Sequence, residues 1–82
     1  MNGDFTLADM IEGETAFVLR SETAGGMRKR FLDIGLSPGT AVTCVGASPP
    51  GDPKAYRILS AVIAIRRKDA KTVIMTKTEG YR

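Results

Sequence analysis

The chain has 82 residues and contains no histidine, no tryptophan and a single cysteine, Cys44. Each gap removes a class of chemistry. Without histidine there is no ordinary general base near neutral pH, and no Ser-His or Cys-His nucleophile pair. One cysteine and no histidine cannot make a Cys/His zinc site, and a lone cysteine forms no internal disulfide. No GxxxxGK[ST] or GxGxxG run occurs, so no nucleotide site is indicated. No apolar stretch approaches the ~20 residues that a membrane helix needs. The opening MNGDFTLADM has an early acid and no apolar segment of the secretory type. Together with the absence of disulfides, this leads to the expectation of a cytoplasmic protein. Neither catalytic residues nor a cofactor are expected.

What remains is 43% hydrophobic and 26% charged, a globular balance with a net charge of +3. Residues 1–82 read as one domain with a modest core, and residues 77–82 as a tail that frays. There is no repeat, linker or low-complexity segment. The mild basicity allows an acidic partner or nucleic acid without requiring either.

The densest local information lies in MRKRFLDIGLSPGT, residues 27–40. Met27, Phe31 and Ile34 recur at i, i+4 and i+7, one face of a helix over about 26–34. Arg28, Lys29 and Arg30 fall mostly off that face. Gly35 stands where a helix commonly ends in a left-handed residue, and Leu36 where the chain folds back on the last turn. Ser37-Pro38-Gly39-Thr40 fits a type II turn, with Pro38 and Gly39 at its centre.

Elsewhere, residues 6–11 read as a helical turn, with Thr6 and Asp9 spaced like a capping box. Strands are expected at 15–20, 41–47, 54–59, 62–67 and 72–76. The loop Ser48-Pro49-Pro50-Gly51-Asp52-Pro53 interrupts them, since its prolines cannot sit in a central strand. Five short strands separated by turn signals every 8–12 residues predict a small β-barrel with one inserted helix.

These landmarks resemble those of the FeoA family, small proteins of bacterial ferrous-iron uptake. The resemblance rests on Phe31-Leu32-Asp33-Ile34-Gly35-Leu36, Pro38-Gly39-Thr40, Gly51-Asp52-Pro53 and Ile63-Ala64-Ile65-Arg66. Thr6-Leu7-Ala8-Asp9-Met10 and Gly13-Glu14 also fit. It covers about residues 5–76 and implies a mainly β fold: a small SH3-like barrel of about five strands, with a short inserted helix and an N-terminal helical turn. One departure is Ser60, where similar chains carry glycine in a hairpin expected around Ser60-Ala61. A tight turn there wants positive backbone angles that serine adopts poorly.

The resemblance implies a non-enzymatic accessory role: binding and modulating the cytoplasmic side of the FeoB transporter. The contact is expected at Met27, Arg28, Lys29, Arg30, Leu36, Ser37 and Pro38. Gly35, Pro38, Gly39, Gly51, Asp52 and Pro53 are expected to shape the backbone. The alternative is a metal-sensing, transition-metal-binding or nucleic-acid-binding module, because SH3-like domains also end repressors of the DtxR type. Against it, Glu12, Glu14, Asp33, Asp52 and Asp69 are scattered singly, so no metal site is expected. Cys44, amid a strand, reads as a packed residue. Phe5, Phe17 and Phe31 fit the core pattern, leaving Tyr56 and Tyr81 as stacking aromatics, too few for a nucleic-acid surface. Arg66-Arg67-Lys68 forms a second basic group, which would enlarge the first if the fold joined them. The apolar run 61–65 could pair with a second copy as a weak homo-oligomer.

Overall fold

The computed structural model describes residues 5–78. Six strands form one antiparallel sheet: β1 (Phe5–Thr6), β2 (Thr15–Ser21), β3 (Ala41–Ala47), β4 (Lys54–Ile58), β5 (Ala61–Ile65) and β6 (Val73–Thr76). Helix α1 (Gly25–Asp33) joins β2 to β3, and the single turn α2 (Arg67–Ala70) joins β5 to β6. The spatial order is β1-β6-β2-β3-β4-β5. The sheet therefore ends in β1 on one side and β5 on the other. It is open, with six strands, and not a closed barrel of about five. Alternation tells which side chains share a face; it carries no information on whether the first and last strands meet. The extra strand β1 spans two residues, too short to show any period.

The alternation itself specifies the core. Ala16, Val18, Val42, Cys44, Tyr56, Ile58, Val73 and Met75 are all buried. Their registers place them directly opposite one another: Ala16 against Val42, Val42 against Ile58, Cys44 against Tyr56, Val18 against Met75. Two bulges, between Val18 and Arg20 and between Cys44 and Gly46, let β2 and β3 curve without losing that face.

The N-terminal turn, Leu7–Asp9, is a 3-10 helix. The Asp9 carboxylate accepts from both the N–H and the hydroxyl of Thr6, at 2.9 and 3.1 Å. Strand β4 then fastens this turn to the sheet. Lys54 Nζ donates to the carbonyls of Ala8 (2.8 Å) and Met10 (2.6 Å), and Tyr56 Oη donates to that of Leu7 (3.1 Å). Burial holds the Tyr56 phenol protonated far above its ordinary range. Tyr56, expected as an exposed aromatic, is thus a core residue whose hydroxyl has a partner. Tyr81 lies outside the described residues.

Helix α1 stops as expected. Gly35 has φ 106°; the Leu36 N–H donates to the Phe31 carbonyl at 2.9 Å, and the Gly35 N–H to Leu32 at 3.1 Å. This pair of bonds is a Schellman cap, and Leu36 behind it is fully buried. The following turn has Gly39 at φ 93° and a Thr40 N–H to Ser37 carbonyl bond of 3.1 Å, the type II geometry. A Cβ on Gly35 would lie 2.6 Å from Leu59 Cδ1 and 3.3 Å from Ile58 Cγ2.

That neighbour explains the Ser60 departure. The β4–β5 hairpin pairs Ile58 with Ala61, so its loop is Leu59-Ser60, one residue earlier than expected. The positive angle falls on Leu59, at φ 56°, and not on Ser60. This matches the primed turn that needs only its first central residue in that region. A bulky residue rarely accepts such a φ.

Two outcomes test this packing. Gly35→Ala should lower stability by about 1–3 kcal/mol, the scale of a non-glycine residue forced to positive φ; the urea midpoint should fall with an unchanged slope. The second concerns Glu14, whose carboxylate meets Lys77 Nζ at 2.7 Å and accepts the Ile11 N–H at 3.0 Å. Lys77, followed by the Ile11 N–H, holds this carboxyl below its ordinary 4.5. Its stabilisation is complete above the unfolded value and disappears as pH falls through the lower folded one. Glu14→Gln should therefore destabilise the protein at neutral pH and make little difference in acid, read from urea midpoints across that range. Lys77 opens the segment expected to fray; residues 79–82 lie outside the described residues.

Candidate partner-binding groove

The apolar stripe of α1 does not close fully onto the sheet. Phe31 is driven into the core, at 3% exposure, while Met27 and Ile34 are only partly covered. Between them and strand β5 runs a groove of about 230 Å³. One wall is Met27, Arg30, Phe31 and Ile34, at i, i+3, i+4 and i+7 of the helix. The other is Ile63, Ala64 and Ile65, continued by Arg66 and Asp69. The floor is apolar and the rim carries two guanidinium groups and one carboxylate.

The groove joins the two basic groups of the sequence, since Arg30 from α1 and Arg66 beyond β5 line it together. Among the described residues, Arg28, Arg30 and Arg66 have no carboxylate within ion-pair distance, whereas Lys29 Nζ meets Asp33 at 3.3 Å. The first turn of α1 holds no acid, and the Ala24 cap makes no side-chain hydrogen bond. A positive charge as early as Arg28 opposes the helix dipole.

The expected contact residues divide. Met27 and Arg30 line the groove, and Arg28 and Lys29 stand exposed on the adjoining helix surface. Leu36 is fully buried and presents no surface; its work is the helix cap. Ser37 and Pro38 are exposed, but their turn is bound to β2, with Gly39 N–H donating to the Val18 carbonyl at 2.8 Å. Sequence reasoning missed the second wall. The run 61–65 is expected as an edge able to pair with a second copy, and the pairing order places β5 at the end of the sheet; what the sequence does not show is that Ile63 and Ile65 face α1 across a groove.

The shaping residues hold other contacts. Gly51, at φ 93°, turns the 48–53 loop, whose ends meet through Ser48 N–H to the Pro53 carbonyl at 3.1 Å. Asp52 Oδ1 accepts the Arg67 N–H at 2.8 Å, fixing the start of α2 and with it the Arg66 end of the groove. Among the described residues, no three His, Cys, Asp or Glu side chains gather as a metal site. Cys44 is buried at 1% exposure, its thiol directed at the Gly46 carbonyl, 3.9 Å away. No helix among the described residues is long and apolar enough to cross a membrane.

Comparison with known proteins gives this surface its context. The FeoA domain family model matches residues 5–77. The Fe(2+) transport protein A/Fe(2+) transporter FeoB fusion protein of Porphyromonas gingivalis is 36% identical over 67 residues, which is 82% of this chain but 8% of that protein. Among solved structures, the zinc-complexed FeoA of Stenotrophomonas maltophilia, described as a procaryotic SH3 domain protein, superposes with a TM-score of 0.78 at 23% identity. The match spans 87% of this chain and 88% of that one. A manganese-dependent transcriptional repressor has a TM-score of 0.81 at 19% identity, over 95% of this chain and 44% of its own. At such identities the structural likeness is one of fold, an SH3-like arrangement on an open sheet. The family match covers all but the ends of the sequence, and the fused relative shares more than a third of the aligned positions: this chain belongs to the FeoA family, associated with ferrous iron transport.

Proposed function

We propose that this protein is a non-enzymatic accessory factor of ferrous-iron uptake that docks on the cytoplasmic side of an FeoB-type transporter and modulates it. The observation that carries the reading is the fused relative, whose name joins transport protein A to the transporter FeoB in one polypeptide. Fusion holds two modules at a high effective concentration, an arrangement that serves modules which must meet. The contact face we assign is the outer surface of α1 and the groove beside it. Met27 supplies an adaptable apolar contact. Arg28, Lys29 and Arg30 supply charge, and exposed Ser37 and Pro38 sit at the margin. Their basic character favours an acidic patch on the transporter.

The rival regulatory reading draws on the repressor likeness, which is one of fold. The chain's own residues favour it less. Tyr56, the stacking candidate inside the described region, is buried, and the carboxylates Glu14, Asp33 and Asp52 are engaged with Lys77, Lys29 and the Arg67 N–H.

The test is a calorimetric titration of the protein with the cytoplasmic portion of an FeoB-type transporter. Reversing Arg28 and Arg30 together to glutamate should weaken binding by about tenfold or more at low salt, the scale of two charge reversals at a complementary interface. Circular dichroism should stay unchanged, because both residues are exposed. Unaltered binding by that folded double variant would remove α1 from the contact.

A further inference from the structure

Among the described residues, strand β5 ends the sheet and its outer edge has no neighbour. The two-residue hairpin loop fixes which of its backbone groups are paired. Ile58 and Ala61 close the turn as a hydrogen-bonded pair, so Tyr56–Ile63 and Lys54–Ile65 are the next bonded pairs along the ladder. The N–H and C=O groups of Val62 and Ala64 therefore point away from β4. Among the described residues, no turn or loop hydrogen bond reaches them. Natural edges are usually blunted by charge, proline or a covering segment. This one is Ala-Val-Ile-Ala-Ile, without a charge, and Val62 is 54% exposed.

The open edge and the groove are the same place. Ile63 and Ile65 face the helix across the groove, while Ala64 borders it. At about 230 Å³, the groove is smaller than the roughly 300–1,000 Å³ of sites that enclose a small molecule. Its size suits side chains delivered from a neighbouring strand. Its rim carries Arg30 and Arg66 against the single carboxylate of Asp69, a net positive charge.

We infer that the outer edge of β5 and the α1–β5 groove form one strand-addition site for an extended partner segment, apolar at its centre and flanked by carboxylates. The segment pairs its backbone with Val62 and Ala64. An apolar side chain drops between Phe31 and Ile63, and its carboxylates meet Arg30 and Arg66. Main-chain bonds give such a site its affinity and the pocket gives its specificity. A second copy of this chain is the poorer occupant, because it brings the same arginine-rimmed face and a net charge of +3. The inference takes its location from the proposed docking face, but not the identity of the partner.

The probe is a capped heptapeptide with leucine at its centre, glutamate two positions to either side so that both share the leucine face of an extended strand, and threonine elsewhere, titrated into isotope-labelled protein and followed by NMR. The account expects shifts concentrated at residues 27–34 and 62–65. N-methylating the peptide nitrogens that face β5 should weaken binding by about tenfold or more, the scale of one or two lost hydrogen bonds. A lysine-for-glutamate peptide should bind comparably weakly to the wild type and better than the glutamate peptide to the Arg30→Glu/Arg66→Glu variant. Ala64→Pro removes one outward N–H at an edge position where proline is tolerated; it should abolish binding of the unmodified peptide with the amide spectrum still that of the folded protein. Equal binding of the N-methylated or lysine peptide would overturn the inference. So would shifts at 62–65 that grow with protein concentration alone and resist the peptide, which would identify a second copy as the occupant. The Ala64→Pro variant also separates this inference from the docking reading. If it binds both the peptide and the transporter portion at full strength while the Arg28/Arg30 double reversal loses the transporter portion, strand addition is wrong and docking stands. If the peptide arms succeed and the transporter portion never binds, the strand-addition site stands and the transporter reading fails.

Discussion

Everything distinctive on this surface depends on how α1 ends. Gly35 takes a backbone angle that only glycine adopts cheaply, and the resulting cap turns the chain so sharply that Leu36 enters the core beside the last helical turn. The same bare α-carbon leaves room for Leu59 and Ile58 at the end of the β4–β5 hairpin. One residue thus stops the helix and seats it against the strands that form the far wall of the groove. Hydrophobic burial holds the assembly together, but this stop sets the position of α1 relative to β5. Leu59 meets the constraint from the other side, in a strained conformation and 67% exposed.

That placement leaves an incompletely covered helix beside an unpaired sheet edge. Either feature alone is ordinary in a small domain. Together, with Arg30 and Arg66 along one groove, they make a surface that is apolar at its centre and positive at its rim. This is the pattern of an interface with a buried core and a polar border. The carboxylate that lines the groove is Asp69; elsewhere Asp33 meets Lys29, Asp52 accepts from the start of α2 and Glu14 meets Lys77.

Much of this was legible beforehand, and the reasons are local. The helix stop, the Pro38-Gly39 turn, the Thr6–Asp9 pairing and the bounds of β3 all follow from residues within a few positions of each other. The missed features depend on residues far apart. Phe5 and Thr6 become a strand only because Met75 and Ile74 lie opposite. Tyr56 is hidden because the 3-10 turn offers the Leu7 carbonyl to its hydroxyl, 49 positions away. The hairpin shifts by one residue because the register puts the strained angle on Leu59. Of the groove, only the helix side was legible, through the contact expected at Met27 and Arg30; that β5 forms the other wall depends on a sheet whose openness no alternation pattern records.

The central claim, that the α1–β5 face is where a partner binds, can be tested most directly by amide hydrogen exchange at Val62 and Ala64. In the free protein both N–H groups point to solvent and should exchange rapidly. In complex with the cytoplasmic portion of an FeoB-type transporter, the account predicts that these two amides become slow, together with reduced exchange along α1. Binding that leaves Val62 and Ala64 as fast as in the free protein, with protection at the β1 edge or the 37–40 turn instead, would contradict it.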